Sequence, residues 1–323
     1  MMRQAFPIIA AFIAGCAGAQ VAQAQAYPAR PVKIVVPFAA GAATDIVARL
    51  VADELRGALG QNFIIDNKPG ASARIGAEAV ASAPADGYTL LVTTNTTHSA
   101  NPHLFKKLNY DPIRDFAPIS GLMHIPVIVV VHPKSPVHSL QELIDYSRAR
   151  PGKVSYGYGN SIGQVTGAAF AKAAGIDVIA TPYKSSPQAM TDLLGEQISY
   201  AVTDMAAGQA LVKSGKLRAL AVSSEKRSSI LPELPTMAET PVLAGFELIA
   251  WVAMFAPAGT PPEIVNRLST EVRKALAKPD VREKIVGYSA EVTPSSPEQL
   301  AAFVKAQLAG WGKRIKDAGI EAE

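Results

Sequence analysis

Apolar residues along this chain fall into two alternating patterns. Short unbroken runs, such as VKIVV at 32–36, read as buried strands. Between them lie longer stretches whose apolar residues recur every three or four positions. In TDIVARLVADELRGALG, Ile46, Val47, Leu50, Val51 and Leu55 share one helical face. NFIID then predicts a strand, DNKPGASARIG a loop rich in turn formers, ARIGAEAVASA a small-residue helix and YTLLVTT a third strand. This β-α-β-α-β order predicts a parallel sheet with helices on both faces.

A second series repeats the alternation. SLQELIDYSRAR opens with a capping box, Ser139 with Glu142 three residues on. VSYGYG, a helix over 162–174, IDVIATP, SPQAMTDLLG, ISYAVTD, a helix near 205–214 and KLRALAVSS follow. Two more capping boxes, Thr260 with Glu263 and Ser296 with Gln299, are predicted to start the C-terminal helices, each with Pro at the first helical position.

Two apolar runs, IPVIVVVHP (125–133) and LIAWVAMFAP (248–257), are bounded by Pro or Gly and read as crossings between two α/β units. The first unit is then discontinuous, 27–126 plus 246–323, and the second is 127–245. Two lobes joined by two antiparallel crossings make a hinged cleft that can close around a ligand. Two domains in series with a rigid interface fit the same pattern.

Residues 1–26 are expected to lie outside the fold. Arg3, an apolar stretch over 5–14 and Ala24-Gln25-Ala26 have the form of a cleavable secretory signal, too short to span a bilayer. Ile13-Ala14-Gly15-Cys16 offers a competing lipoprotein reading, with Cys16 acylated. Cys16 is the only cysteine, so a chain starting at Tyr27 has no disulfide and no thiolate chemistry. The chain is 49% apolar and 18% charged, which suits sizeable cores. Its net charge of +4 mildly favours anionic small molecules. Basic residues are scattered among acids with no aromatic-studded stripe, so no nucleic-acid partner is expected.

Candidate chemistry centres on GNSIG (159–163), which fits the G-x-S-x-G nucleophile elbow. An elbow needs its histidine after the serine. His98, His103, His124, His132 and His138 all precede Ser161. The rival to hydrolysis is an anion seat: Ser161 caps the following helix, and the free N–H groups of its first turn point at a ligand. A capping serine with no ligand fits equally. PFAAGAATD (37–45) offers a second seat, with Gly41 and its alanines letting a ligand approach, Thr44 as cap and Asp45 in the first turn. Arg74, in KPGASARIG, is either a partner for a ligand carboxylate or a solvated surface residue. The histidines are five and six residues apart around Pro102 and Pro133, so they read as loop or surface residues and no metal or other cofactor is expected.

YPARPVKIVVPFAAGAATDIVAR, DNKPGASARIGA, TTHSANPHLFKKLNYDPIRDFAPIS, TPYKSSPQAMTDLLGEQIS, GKLRALAVSSEKRSSILPELPTMAE and FAPAGTPPEIVNRL resemble, in that order, the Bug family of extracytoplasmic solute receptors of tripartite tricarboxylate transporters. The resemblance implies an α/β, two-lobed periplasmic-binding-protein fold of the Venus-flytrap, type II kind, with each lobe a sheet flanked by helices. It implies a non-enzymatic, monomeric, periplasmic protein that carries a carboxylate to membrane permease subunits. It further implies ligand contacts in the Pro37 to Asp45 loop, with Phe38, Ala39, Gly41, Ala42, Thr44 and Asp45, in the Asn160 to Gln164 loop and helix start, with Ser161, Ile162 and Gln164, and at Thr203 and Asp204; Thr94 and Arg74 join them as expected site residues. The sequence departs from the family at Gly41-Ala42, where Gly-Gly is common. It departs again at Ser72-Ala73-Arg74, where a Gly-rich stretch with a small polar residue is usual, and at Gln164 and Ala168, where His and Glu often stand. Arg74 is expected to meet a second carboxylate, which favours a dicarboxylate, aliphatic or aromatic. The alternative function is a secreted serine hydrolase using Ser161.

Overall fold

The computed structural model describes residues 27–317 and 319–322. The expected signal segment and the alternative acylation site, Cys16, lie outside the described residues.

The chain opens with β1 (Val32–Val36), α1 (Ala43–Leu59), β2 (Phe63–Asn67), α2 (Arg74–Ala81) and β3 (Thr89–Thr94), in the order the apolar pattern predicts. β1 pairs in parallel with β2 and β3. α1 buries Val47, Val51 and Leu55, one stripe of its 3.6-residue period, and Gly60 ends it in the left-handed conformation at φ 71°. A π-helical turn, Thr96–Ala100, runs into the short α3 (Asn101–Leu104), and β4 (Phe116–Ile125) follows.

Pro126 lies between β4 and β5 (Val127–Val131), where the second sheet begins. α4 (Leu140–Arg148), β6 (Val154–Tyr158), α5 (Ser161–Ala174), β7 (Val178–Pro182), α6 (Ser186–Leu194), β8 (Tyr200–Asp204), α7 (Met205–Lys213) and β9 (Arg218–Val222) complete that lobe. Alternate residues of β5 serve opposite cores: Val127, Val129 and Val131 on one face, Ile128 and Val130 on the other. An unbroken apolar run is what a strand covered on both faces requires. The chain returns through β10 (Ala250–Pro257), α8 (Pro262–Ala277), α9 (Pro279–Gly287), β11 (Glu291–Val292) and α10 (Pro297–Asp317).

The strand orders are β11-β4-β10-β3-β1-β2 and β7-β6-β8-β5-β9. The fold is therefore two mixed α/β sheets flanked by helices. The first sheet departs from the all-parallel expectation. β10 enters from the second sheet's side and runs antiparallel between β3 and β4, pairing with both. Its Trp251, Ala253 and Phe255 pack on one face, and Val252, Met254 and Ala256 on the other.

Ser139 and Ser296 cap α4 and α10 as read: each hydroxyl accepts from the N–H three residues on. Thr260 does not cap α8. Its hydroxyl donates to Pro257 O at 2.8 Å, and the helix starts at Pro262 with Pro261 as its cap. α10 is shared between cores. Leu300 and Val304 pack with the first sheet, while Trp311 and Ile315 pack with the second. Its 21 residues, roughly 30 Å of helix, are long enough to cross from one to the other.

Candidate functional site

A cleft of about 630 Å³ opens between the two sheets' helix starts. Phe38 and Ala39 border it from the β1–α1 loop, and Ser72 and Ala73 from the β2–α2 loop. Thr96 and Asn101 line it from the π-helical turn and α3, and Asn160, Ser161 and Gln164 from the facing lobe. Leu104, Phe105 and Ile320 form an apolar side, with Glu321 beside them.

The start of α5 is built differently from the sequence reading. Asn160, not Ser161, is its cap: the Asn160 Oδ1 accepts from Gly163 N at 2.9 Å, and Ser161 is the first helical residue. An asparagine in extended backbone is as good a cap as a serine, and GNSIG contains both. The glycines of that motif serve packing. A Cβ on Gly159 would stand 2.0 Å from the Ser185 carbonyl carbon and the Ser186 nitrogen, and one on Gly163 would stand 2.6 Å from Val202 O.

Asp204 ties this corner together. It caps α7 by accepting from Ala207 N at 3.0 Å. Its Oδ2 accepts from Asn160 Nδ2 at 3.1 Å and from Ser186 Oγ at 3.0 Å. Three helix starts, α5, α6 and α7, therefore share one carboxylate. The positive ends of their dipoles are met by that carboxylate itself, so Asp204 disfavours an anion directly beside it and is free to accept from an amino or hydroxyl group. Thr203, just before, is buried, with its Oγ1 unpartnered. Ile162 packs into the second lobe's core.

Asp45 plays the same part in the first lobe. Thr44 does not cap α1; Ala42 stands at that position without a side-chain bond. Buried Asp45 instead receives Gly41 N at 2.9 Å, Arg49 Nε at 3.0 Å and Asn67 Nδ2 at 2.9 Å. Burial alone would raise its pKa; the donors from Arg49, Gly41 and Asn67 outweigh that and hold it below the ordinary value. Gly41, at φ 83°, lets the loop turn back so that its N–H reaches that carboxylate. Thr94 ends β3, its hydroxyl accepting from Thr96 N.

Arg74 follows the wall residue Ala73 but is not itself among the residues lining the cleft. Its Nε donates to Ala71 O at 3.0 Å, and its guanidinium sits 4.1 Å over the ring of Phe105, a wall residue. Among the described residues it has no carboxylate partner. Of the site residues read from sequence, the cleft wall brings together Phe38, Ala39, Ser161 and Gln164. Asn101, Phe105 and Asn67 escaped that reading; Asn160 fell within the 160–164 segment that the resemblance placed at the ligand, but not as the helix cap. None of the three carries a local signal for the site.

The histidines are engaged elsewhere. His98 was read as a loop or surface residue but is fully buried, because the whole stretch from Thr97 to Ala100 in the π-helical turn is covered by the core. It stacks on Phe255 at 4.2 Å, and its Nδ1 pairs with Thr97 Oγ1 at 2.8 Å. Burial drives its pKa down to about 3, so it is neutral. His103 Nε2 pairs with Leu308 O, and His124 stacks on Phe303. His132 Nδ1 accepts from Lys134 N.

Residues 47–320 match the family model described as the tripartite tricarboxylate transporter family receptor. Three solved structures are similar over nearly the whole chain. The Rhodopseudomonas palustris protein Rpa4515, described with adipate, is 37% identical at a TM-score of 0.81, covering 92% of this chain and 100% of its own. The periplasmic binding protein BugD is 36% identical at 0.77, with the same coverage. MatC from Rhodopseudomonas palustris, with bound malate, is 31% identical at 0.75, covering 90% of this chain and 100% of its own.

Proposed function

The chain belongs to the Bug family of periplasmic solute-binding receptors of tripartite tricarboxylate transporters, and from that premise we propose that it captures an organic carboxylate in the cleft and delivers it to the transporter's permease. The observation that carries the reading is the start of α5, where Asn160, Ser161 and Gln164 face Phe38 and Ala39 of the β1–α1 loop across the cleft. Backbone N–H groups there and in the Phe38–Ala42 loop hold the ligand carboxylate, with Gln164 beside it. Thr94, Thr203, Asp45 and Asp204 support these groups from behind. Arg74, with no carboxylate partner of its own among the described residues, receives a second carboxylate. A dicarboxylate is then the preferred ligand here; the two similar proteins are described with adipate and with bound malate, both dicarboxylates.

Lobes of 27–126 with 246–323, and of 127–245, close over the ligand, with α10 bending or sliding between them. The protein works as a monomer without turnover of the ligand, exported by cleavage after Ala26, and the permease reads the closed form.

Thermal unfolding of refolded, ligand-stripped protein tests this against mono-, di- and tricarboxylates and an ester panel. A ligand at about 100-fold its Kd adds roughly 2.7 kcal/mol, which raises Tm by several degrees in a chain this size. A rise with one carboxylate subclass supports the receptor reading. No rise, together with ester turnover lost in Ser161→Ala, replaces it with a hydrolase.

A further inference from the structure

The β2–α2 loop holds an unusual backbone. Ala71, Ser72 and Ala73 all have left-handed φ, at 47°, 53° and 67°. Single non-glycine residues visit this region at a cost, and three in a row compound it. Ser72 and Ala73 nonetheless form part of the cleft wall, and Ala71 O is the acceptor that orients Arg74. Something outside the loop must hold it.

We propose that Asn101 is the positioning residue that does so. Its Nδ2 donates to Ser72 O at 2.8 Å, across 29 residues of sequence. The orientation of the amide is forced. Ser72 O can only accept, and the second acceptor facing Nδ2, the Tyr110 hydroxyl at 3.4 Å, has already given its proton to Thr97 O at 2.8 Å. Asn101 is itself buried and fixed at the junction of the π-helical turn and α3. Turns of this kind are rare and concentrate at functional sites. The chain of contacts runs from Asn101 through Ser72 and Ala71 to Arg74, and from Arg74 to the ring of Phe105. One amide thus sets both a wall of the cleft and the guanidinium next to it. Its effect on ligand selection rests on the carboxylate reading above; its effect on the loop does not.

The test compares wild type, Asn101→Ala, Ala71→Gly and the double variant as full chains. Ala71 is exposed and left-handed, so glycine there removes the conformational penalty with little loss of packing. Hydrogen exchange of the amides at 71–76 is read without ligand. Asn101→Ala should speed it about tenfold while β9 amides stay within twofold, and adding Ala71→Gly should recover a threefold or larger part of the loss. Adipate titration should follow the same order, weakest in Asn101→Ala and partly recovered in the double variant. A general loss of stability would speed exchange everywhere and would not respond to Ala71→Gly; that outcome, or unchanged exchange at 71–76, overturns the proposal. Failure of adipate to bind wild type counts against the dicarboxylate reading, and the exchange result still decides the role of Asn101.

Discussion

Asn160 and Asp204, at the starts of α5 and α7, are joined by a 3.1 Å hydrogen bond from amide to carboxylate. The same carboxylate caps α7 and receives Ser186 Oγ. The two duties can be separated. In Asp204→Asn the new amide oxygen still caps α7, but its NH2 meets the NH2 of Asn160. We expect Asp204→Asn to keep most of the stability while lowering carboxylate affinity. Asp204→Ala loses the cap as well, at about 1 kcal/mol or more, a few degrees of Tm in a domain of this size. Thermal unfolding paired with titration reads both; equal affinities in the two variants and wild type would sever Asp204 from the binding corner.

Acid should weaken the fold through His98. Its folded pKa lies at about 3 because it is buried against Phe255, whereas the ordinary histidine value is 6.5. The unfolded chain therefore binds a proton that the folded chain refuses. The associated stability is fully present above pH 6.5 and drains away as pH falls toward 3, by up to about 1.4 kcal/mol per pH unit. Tm measured from pH 7.5 to 4.5 should fall less steeply in His98→Gln than in wild type, even though the variant starts lower. Parallel slopes would mean that other groups carry the acid sensitivity.

Arg74 should discriminate by ligand charge. Arg74→Ala is expected to weaken a dicarboxylate about tenfold, the scale of one charge-assisted pair, and to leave a matched monocarboxylate within twofold. Arg74→Lys should restore little, because the stack on Phe105 and the bond to Ala71 O both use the planar guanidinium. Loss of both ligand types alike would make Arg74 a prop for the loop and nothing more.

Much of this architecture was legible in the chain. VKIVV, the Val47/Val51/Leu55 stripe and the Ser139 and Ser296 boxes are local patterns, and local patterns survive folding. What stayed hidden depends on distant partners. The antiparallel insertion of β10 between β3 and β4 reflects where the second lobe returns the chain, which no window around Trp251 reports. His98 is buried by a π-helical turn with no signature of its own in TTHSA. Thr44 and Ser161 were plausible caps, but Asn160 takes the first-turn N–H of Gly163 while Asp45 binds back to Gly41 N before the helix, and the partners that orient them, Asp204 and Asn67, lie 44 and 22 residues away.

Gly159 decides what GNSIG is for. A nucleophile elbow and an anion seat would both use glycine there for a sharp turn, but its neighbours give a different reason. A Cβ would strike the Ser185–Ser186 backbone at 2.0 Å, and backbone cannot yield as a flexible side chain can. Gly159→Ala must therefore push the start of α6 away, carrying Ser186 off Asp204 and loosening Asn160. Overpacking of this kind costs about 1–3 kcal/mol. Gly175 offers the control: it is left-handed at φ 62° with open space around it, so Gly175→Ala carries only the conformational cost, roughly 1 kcal/mol. Both variants should melt earlier than wild type, but only Gly159→Ala should lose the rise in Tm on adding ligand. If Gly159→Ala still shows the full rise, the meeting of the α5 and α6 starts is a packing detail and the ligand is held without it.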